Sequence, residues 1–210
     1  MSRDHILHKV RTALGRSAAE PPGEAPAPWL RVPESAVDDR VESFCAALEK
    51  LAGKTYRAVS RADAREYVER LIAGRKAVAS PAALLVECGI TGLTGVESGF
   101  HDKDAWRAAC AAADIGITAA DYALADTGTL VMLASSGEPR LLSLLPPMHV
   151  AVLARERLLT GLDELFTLLP VPSAATSSLV FITGPSRTAD IEQILVRGVH
   201  GPGEIHVVLV

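Results

Sequence analysis

Three polar, glycine-rich segments hold the residues of this chain best suited to chemistry. The first is Ala125-Asp126-Thr127-Gly128-Thr129, a hydroxyl-rich turn between two apolar stretches. A glycine there lets the backbone approach a ligand closely. Asp126 is a candidate catalytic group, as a base or as an orienting partner. Thr127, Gly128 and Thr129 are candidate contacts for a bound anion. An aspartate in such a turn also commonly accepts the turn's own N–H groups, and that role stands beside the catalytic one.

The second segment runs Phe181-Ile182-Thr183-Gly184-Pro185-Ser186-Arg187-Thr188-Ala189-Asp190-Ile191-Glu192. It reads as a strand that ends at a glycine, a polar turn, and a helix starting at Thr188. Free N–H groups and the dipole at a helix start favour a carboxylate or phosphate. Gly184, Ser186, Arg187 and Thr188 are therefore candidate anion ligands, with Arg187 able to bind in a bidentate way. The competing reading is a plain cap: Thr188 closes the helix and Asp190 and Glu192 answer its dipole.

The third segment is Gly198-Val199-His200-Gly201-Pro202-Gly203, which presents a histidine on a loop. Histidine is the side chain whose charge changes near neutral pH, so His200 is the second candidate catalytic residue. His149 sits in a more apolar run and reads as a core histidine. Glu97, between Gly95 and Gly99, reads as a solvated loop carboxylate that could also serve as a base.

No metal site is expected. The six histidines show no H-x-x-x-H or H-E-x-x-H pattern, and His5 and His8 lack a third ligand. Phosphate-loop, dinucleotide-binding and nucleophile-elbow motifs are absent. Cys45, Cys88 and Cys110 are widely and irregularly spaced, so the chain is expected to hold no iron–sulfur cluster of its own. So sparse a cysteine content fits a reducing compartment, taken here as the cytoplasm.

The elements that must position these residues alternate. Helices are expected over 3–14, 34–52, 64–73, 156–169 and 188–196, with another restarting at Ser80-Pro81. Strands are expected over 56–59, 76–79, 115–118, 130–133, 147–153, 179–183 and 205–210. Several strands are apolar on both faces. That pattern implies an α/β fold with helices on both sides of a mostly parallel, possibly mixed, sheet. Prolines 21, 22, 26, 28 and 33 mark a linker, giving an N-terminal helix and Pro-rich linker over 1–33 and an α/β domain over 34–210.

Of the 210 residues, 49% are hydrophobic and 22% charged, which is enough for one sizeable core. A net charge of -4 with 4% aromatics leaves neither a basic face nor stacking platforms, so nucleic acid is not an expected partner. Residues 1–110 carry 16 basic and 15 acidic side chains, whereas 111–210 carry 5 and 10. The second half must therefore bury more of itself or face a partner. The N-terminus lacks the apolar region of a signal peptide, and no unbroken apolar run of about 18 residues suggests a membrane span.

Taken in order, Ala125-Asp126-Thr127-Gly128-Thr129, Leu144-Leu145-Pro146-Pro147-Met148-His149, the Thr183–Glu192 run and Gly198-Val199-His200-Gly201-Pro202 closely resemble the LUD-domain family. The closing Ile205-His206-Val207-Val208-Leu209-Val210 completes the pattern. One departure is Asp126, where many relatives carry glutamate. The resemblance implies a three-layer α/β/α sandwich like that of CoA-transferases and ribose-phosphate isomerases. It also implies a part in oxidising L-lactate to pyruvate, beside two companion proteins that carry iron–sulfur clusters. The expected function is thus a cluster-free subunit of a lactate-oxidising system. The alternatives are a stand-alone acyl/CoA-transferase- or sugar-phosphate-isomerase-like enzyme, and a regulatory or structural module.

Overall fold

The computed structural model describes residues 2–15, 30–135, 137–188 and 196–210. Helix α1 (Arg3–Ala13) is capped by Ser2, and its apolar residues Ile6, Val10 and Leu14 are exposed. Most of the Pro-rich linker lies outside the described residues. Then follow α2 (Val37–Lys50), β1 (Lys54–Arg57), α3 (Arg61–Ile72), β2 (Ala77–Ala79), α4 (Ala83–Glu87), β3 (Val96–Glu97), α5 (Lys103–Ala112) and β4 (Ile115–Ala119). The chain continues through β5 (Tyr122–Leu124), β6 (Thr129–Leu133), α6 (Leu141–Leu144), β7 (Met148–Leu153), β8 (Leu158–Leu159), α7 (Leu162–Leu168) and α8 (Pro172–Ala175). It closes with β9 (Leu179–Ile182), β10 (Arg187–Thr188), β11 (Val196–Arg197) and β12 (Glu204–Leu209).

Six strands form the main sheet in the order β1-β12-β7-β4-β2-β3, every pair parallel. Side-chain alternation gives it two apolar faces. Met148, Val150 and Val152 of β7 pack with Ala64, Val68 and Ile72 of α3 and Leu85 of α4. On the other face, Ala151 and Leu153 pack with Phe44, Cys45 and Leu48 of α2. Farther along that face, Val78 of β2 meets Trp106 and Cys110 of α5 and Leu142 of α6. Burial on both sides explains why every residue of β7 but His149 is apolar. Gly116 in β4 permits the close approach of α6, because a Cβ there would lie 1.9 Å from the Leu142 carbonyl oxygen.

A second, four-stranded sheet, β8-β5-β6-β9, is mixed, its β5-β6 and β6-β9 pairs antiparallel and its β5-β8 pair parallel, and it packs beside α2. Three expected elements differ. The helix expected over 156–169 starts only at Leu162. Leu158 and Leu159 are instead drawn into pairing with β5, where both are buried. Thr188 begins no helix. It lies in β10, opposite Val196 in an antiparallel ribbon, and 189–195 fall outside the described residues. The helix expected at Ser80-Pro81 starts at Ala83, because Ser80 is wholly buried and bonded elsewhere. The Ser60 cap is as expected: its hydroxyl accepts the Asp63 N–H at 3.1 Å.

Candidate functional site

Parallel sheets place crevices at the carboxyl ends of their strands. Here β2 ends into Ser80 and β4 into Ala120-Asp121, while the loop between β6 and α6 turns back over both. Ser135 holds that loop, its hydroxyl accepting the Glu138 N–H at 3.0 Å. The Glu138 side chain then reaches the sheet edge. Its Oε1 accepts the Ser80 hydroxyl at 2.9 Å and the Ala119 N–H at 3.0 Å.

Burial pushes the Glu138 carboxyl up to about 7; the Ser80 and Ala119 hydrogen bonds pull against that, and Asp121 adds to it. Burial also raises Asp121, although the Leu133 N–H donates to it at 2.7 Å and Arg157 lies near. Glu138 and Asp121 line an open cleft of about 490 Å³, floored by Ala119 and Ala120. Two exposed arginines stand at its rim: Arg61, paired with Glu87 at 2.8 Å, and Arg157, stacked over Tyr122. A carboxyl that titrates near 7 can take and return a proton at neutral pH. A rim arginine can pair with a substrate carboxylate.

The sequence-expected residues gather elsewhere, around the carboxyl-terminal end of α2. Thr127 donates to Asp126 at 3.2 Å, Thr129 donates to Thr127 at 2.8 Å, and Thr129 also meets the Thr183 hydroxyl at 2.8 Å. The first two segments are thus joined by a chain of hydroxyls. Gly128 has φ +65°, and a Cβ on it would lie 2.4 Å from the Leu48 nitrogen. Gly184, at φ +95°, faces Leu51. The third segment joins through Ser186, whose N–H donates to the Pro202 carbonyl at 2.8 Å and whose own carbonyl accepts from Gly198.

These segments are neighbours, but the loop carrying His200 lies at the amino ends of β7 and β12, opposite the cleft. Gly203 donates to the Pro147 carbonyl just before β7 begins. His200 is exposed. Arg187 is exposed too, and its guanidinium donates to the Leu51 carbonyl. Asp126 lines a separate pocket with Arg31, Thr160 and Asp163. Thr188 occupies a strand position, so the helix-start donors expected beside it are not formed at that residue.

Glu97 is exposed on edge strand β3. His149 is wholly buried, as expected of a core histidine. Among the described residues no group of three or more His, Cys, Asp or Glu could hold a metal ion. Cys45, Cys88 and Cys110 are free, buried, and in three different apolar clusters. No described helix is long and apolar enough to cross a membrane.

Sequence reasoning passed over Glu138, Ser80 and Asp121. Glu138 follows Ser135-Ser136-Gly137, which reads as an ordinary turn, and Ser80 precedes a proline, which reads as a helix start. Their one local signal was an acidic residue directly after the apolar strand β6 and its turn.

Comparison with known proteins fits this architecture. The crystal structure of a DUF162 family protein from Deinococcus radiodurans superposes with a TM-score of 0.63 at 18% identity, covering 84% of this chain and 99% of that one. The two share a fold. Lactate utilization protein C of Halalkalibacterium halodurans is 45% identical over 94 residues, covering 43% of this chain and 41% of that protein. The protein of the same name from an Exiguobacterium species is 42% identical over 102 residues, covering 47% and 44%. The chain thus matches less than half the length of these curated relatives. The LUD domain model matches residues 41–210, nearly all of the α/β unit. The chain belongs to the LUD domain family.

Proposed function

We propose that this chain serves lactate utilisation as a component without an iron–sulfur cluster, working beside iron–sulfur companion proteins in the oxidation of L-lactate to pyruvate. The names of its relatives support the process. The separation of its cysteines into three clusters supports the division of labour, since a cluster needs its thiolates gathered. The observation that carries a chemical role is Glu138, a half-buried carboxyl that titrates near 7 in an open cleft.

Oxidation of lactate releases a hydroxyl proton, together with a carbon-bound hydrogen and its electron pair. In this reading Glu138 accepts the hydroxyl proton and returns it to solvent through the cleft. A rim arginine pairs with the lactate carboxylate. The companions accept the two electrons, and the carbon-bound hydrogen leaves as a second proton to solvent. Reconstitution tests the assignment: lactate-dependent reduction of an acceptor by the companions should require this chain. Equal rates with and without it would refute the proposal.

A second reading rests on the hydroxyl chain between Thr129 and Thr183. Here the turns around Asp126, Ser186, Arg187 and His200 bind a small carboxylate or phosphate. Thr127, Gly128, Thr129, Gly184 and Thr188 then shape the site, and Asp126 and His200 supply its acid–base groups.

A further inference from the structure

Glu138 also lines a second, much smaller pocket of about 10 Å³. It is lined by Thr118, Glu138 and Ser143 together with Met132, Leu133 and Ala134. That volume is close to one water molecule, and a buried water needs roughly two to four polar partners. Four polar side chains line it, those of Thr118, Glu138, Ser143 and Arg140.

Thr118 leads deeper. Its hydroxyl lies 2.9 Å from Nε2 of His149 on the neighbouring strand β7. Thr118 is 1% exposed and His149 is wholly buried. The other imidazole nitrogen, Nδ1, is buried with no hydrogen-bond partner among the described residues. Burial depresses the imidazole to about 4, so it is neutral at physiological pH and carries one ring proton.

That proton has two places to sit. On Nδ1 it would be a buried donor with no acceptor, which native structures rarely tolerate. On Nε2 it is given to Thr118, and Nδ1 keeps only an unused lone pair. The second tautomer is the cheaper one. Thr118 then accepts from His149, and its own hydroxyl proton is free to point into the pocket.

The pocket offers that proton a use. Ser143 gives its hydroxyl proton to the Arg140 carbonyl at 3.2 Å, which leaves its lone pairs available. Glu138 already accepts two hydrogen bonds at Oε1, while Oε2 accepts none among the described residues.

We propose that Thr118 and His149 are positioning residues for Glu138, the neutral imidazole turning the threonine hydroxyl into the small pocket so that it donates, through one water, to the free carboxylate oxygen. The inference rests on the reading of Glu138 as the acid–base group for its catalytic consequence alone; the hydrogen-bond chain does not depend on the substrate.

The other charged groups around Glu138 are Asp121 from the turn after β4, Arg140 beside the small pocket, and Arg61, Glu87 and Arg157 along the cleft. A donor to the carboxylate favours the ionised form, so losing it moves the Glu138 titration upward.

The test uses the full chain with carboxyl-labelled glutamate, the Glu138 signal being assigned by its loss in Glu138→Gln. Thr118→Val should raise the titration midpoint of Glu138 by about half a pH unit or more, a threefold or greater change in proton affinity. Thr118→Ser should restore it. An unchanged midpoint in Thr118→Val overturns the proposal. Should that variant fail to fold, nitrogen NMR of the parent decides: His149 protonated on Nε2 supports the chain, and protonation on Nδ1 overturns it. Because neither readout involves lactate, failure of the lactate reconstitution would leave this result standing.

Discussion

The Ser80 hydroxyl donates to Glu138 Oε1 at 2.9 Å across 58 residues of sequence. That bond ties the loop after β6 to the end of β2 and fixes one carboxylate oxygen. The same oxygen takes the Ala119 N–H, so two neighbouring parallel strands present donors to a single atom. Such bonds stabilise the ionised form, yet burial outweighs them and keeps the group near neutral. A carboxyl so balanced is stored at a cost in stability, a pattern that recurs where acid–base chemistry is done.

That cost gives the first prediction. Unfolded, Glu138 loses its proton near 4.5; folded, near 7. Between those values the unfolded chain binds fewer protons, so stability falls as pH rises through the window. Glu138→Gln keeps an acceptor for Ser80 and Ala119 but carries no charge. It should stabilise the protein at pH 8.5, by roughly 3 kcal/mol at most, and change little below pH 4.5. Urea unfolding at the two pH values measures the difference. Equal effects at both would mean that Glu138 is not held near neutral.

Gly128 gives the second. Any side chain there meets α2 backbone at 2.4 Å and must also adopt φ +65°. Gly128→Ala should cost roughly 3 kcal/mol or more, strain and overpacking together. Gly74 is the control, at φ +85° with nothing within 4 Å of its Cβ position. Gly74→Ala should cost only about 1–2 kcal/mol. Denaturant midpoints of the two variants provide the comparison, and similar losses would remove the contact with Leu48 as the cause.

The turn at Gly128 was legible because it is local, lying between two apolar stretches, whereas the α2 backbone that crowds this glycine is distant in sequence and was not. β7 and β4 were legible because burial on both faces leaves a run that is apolar but for His149 in the one and Thr118 in the other. Leu158 and Leu159 were not, since their spacing suits a helix and only pairing with β5 makes them a strand. Thr188 misled for a related reason: a hydroxyl after a glycine turn looks like a cap until Val196 is found opposite. Glu138, Ser80 and Asp121 were hidden because none belongs to a motif. What makes them a site is the parallel arrangement that brings the ends of β2 and β4 together.

Arg187 discriminates the second reading. Its exposed guanidinium donates to the Leu51 carbonyl, a tie contributing at most about 1 kcal/mol. Arg187→Ala should therefore melt close to the parent, yet bind lactate, pyruvate or phosphate about tenfold more weakly if the turns form an anion site. Thr188→Ala should also melt close to the parent, because in β10 it caps no helix. Calorimetric titration and thermal melting of both variants test this, and unchanged affinity for all three anions in Arg187→Ala would eliminate the second reading.

The most direct measurement of the central claim is the rate of lactate-dependent acceptor reduction by the companion proteins reconstituted with parent chain or with Glu138→Gln. General acid–base catalysis contributes roughly 10²–10⁴-fold. If Glu138 takes the hydroxyl proton, the variant should lower the rate by about 10² or more at neutral pH while the chain remains folded. The parent's rate should rise with pH through a midpoint near 7, as the carboxylate form accumulates. A folded Glu138→Gln chain that supports the parent rate across that pH range would contradict the account.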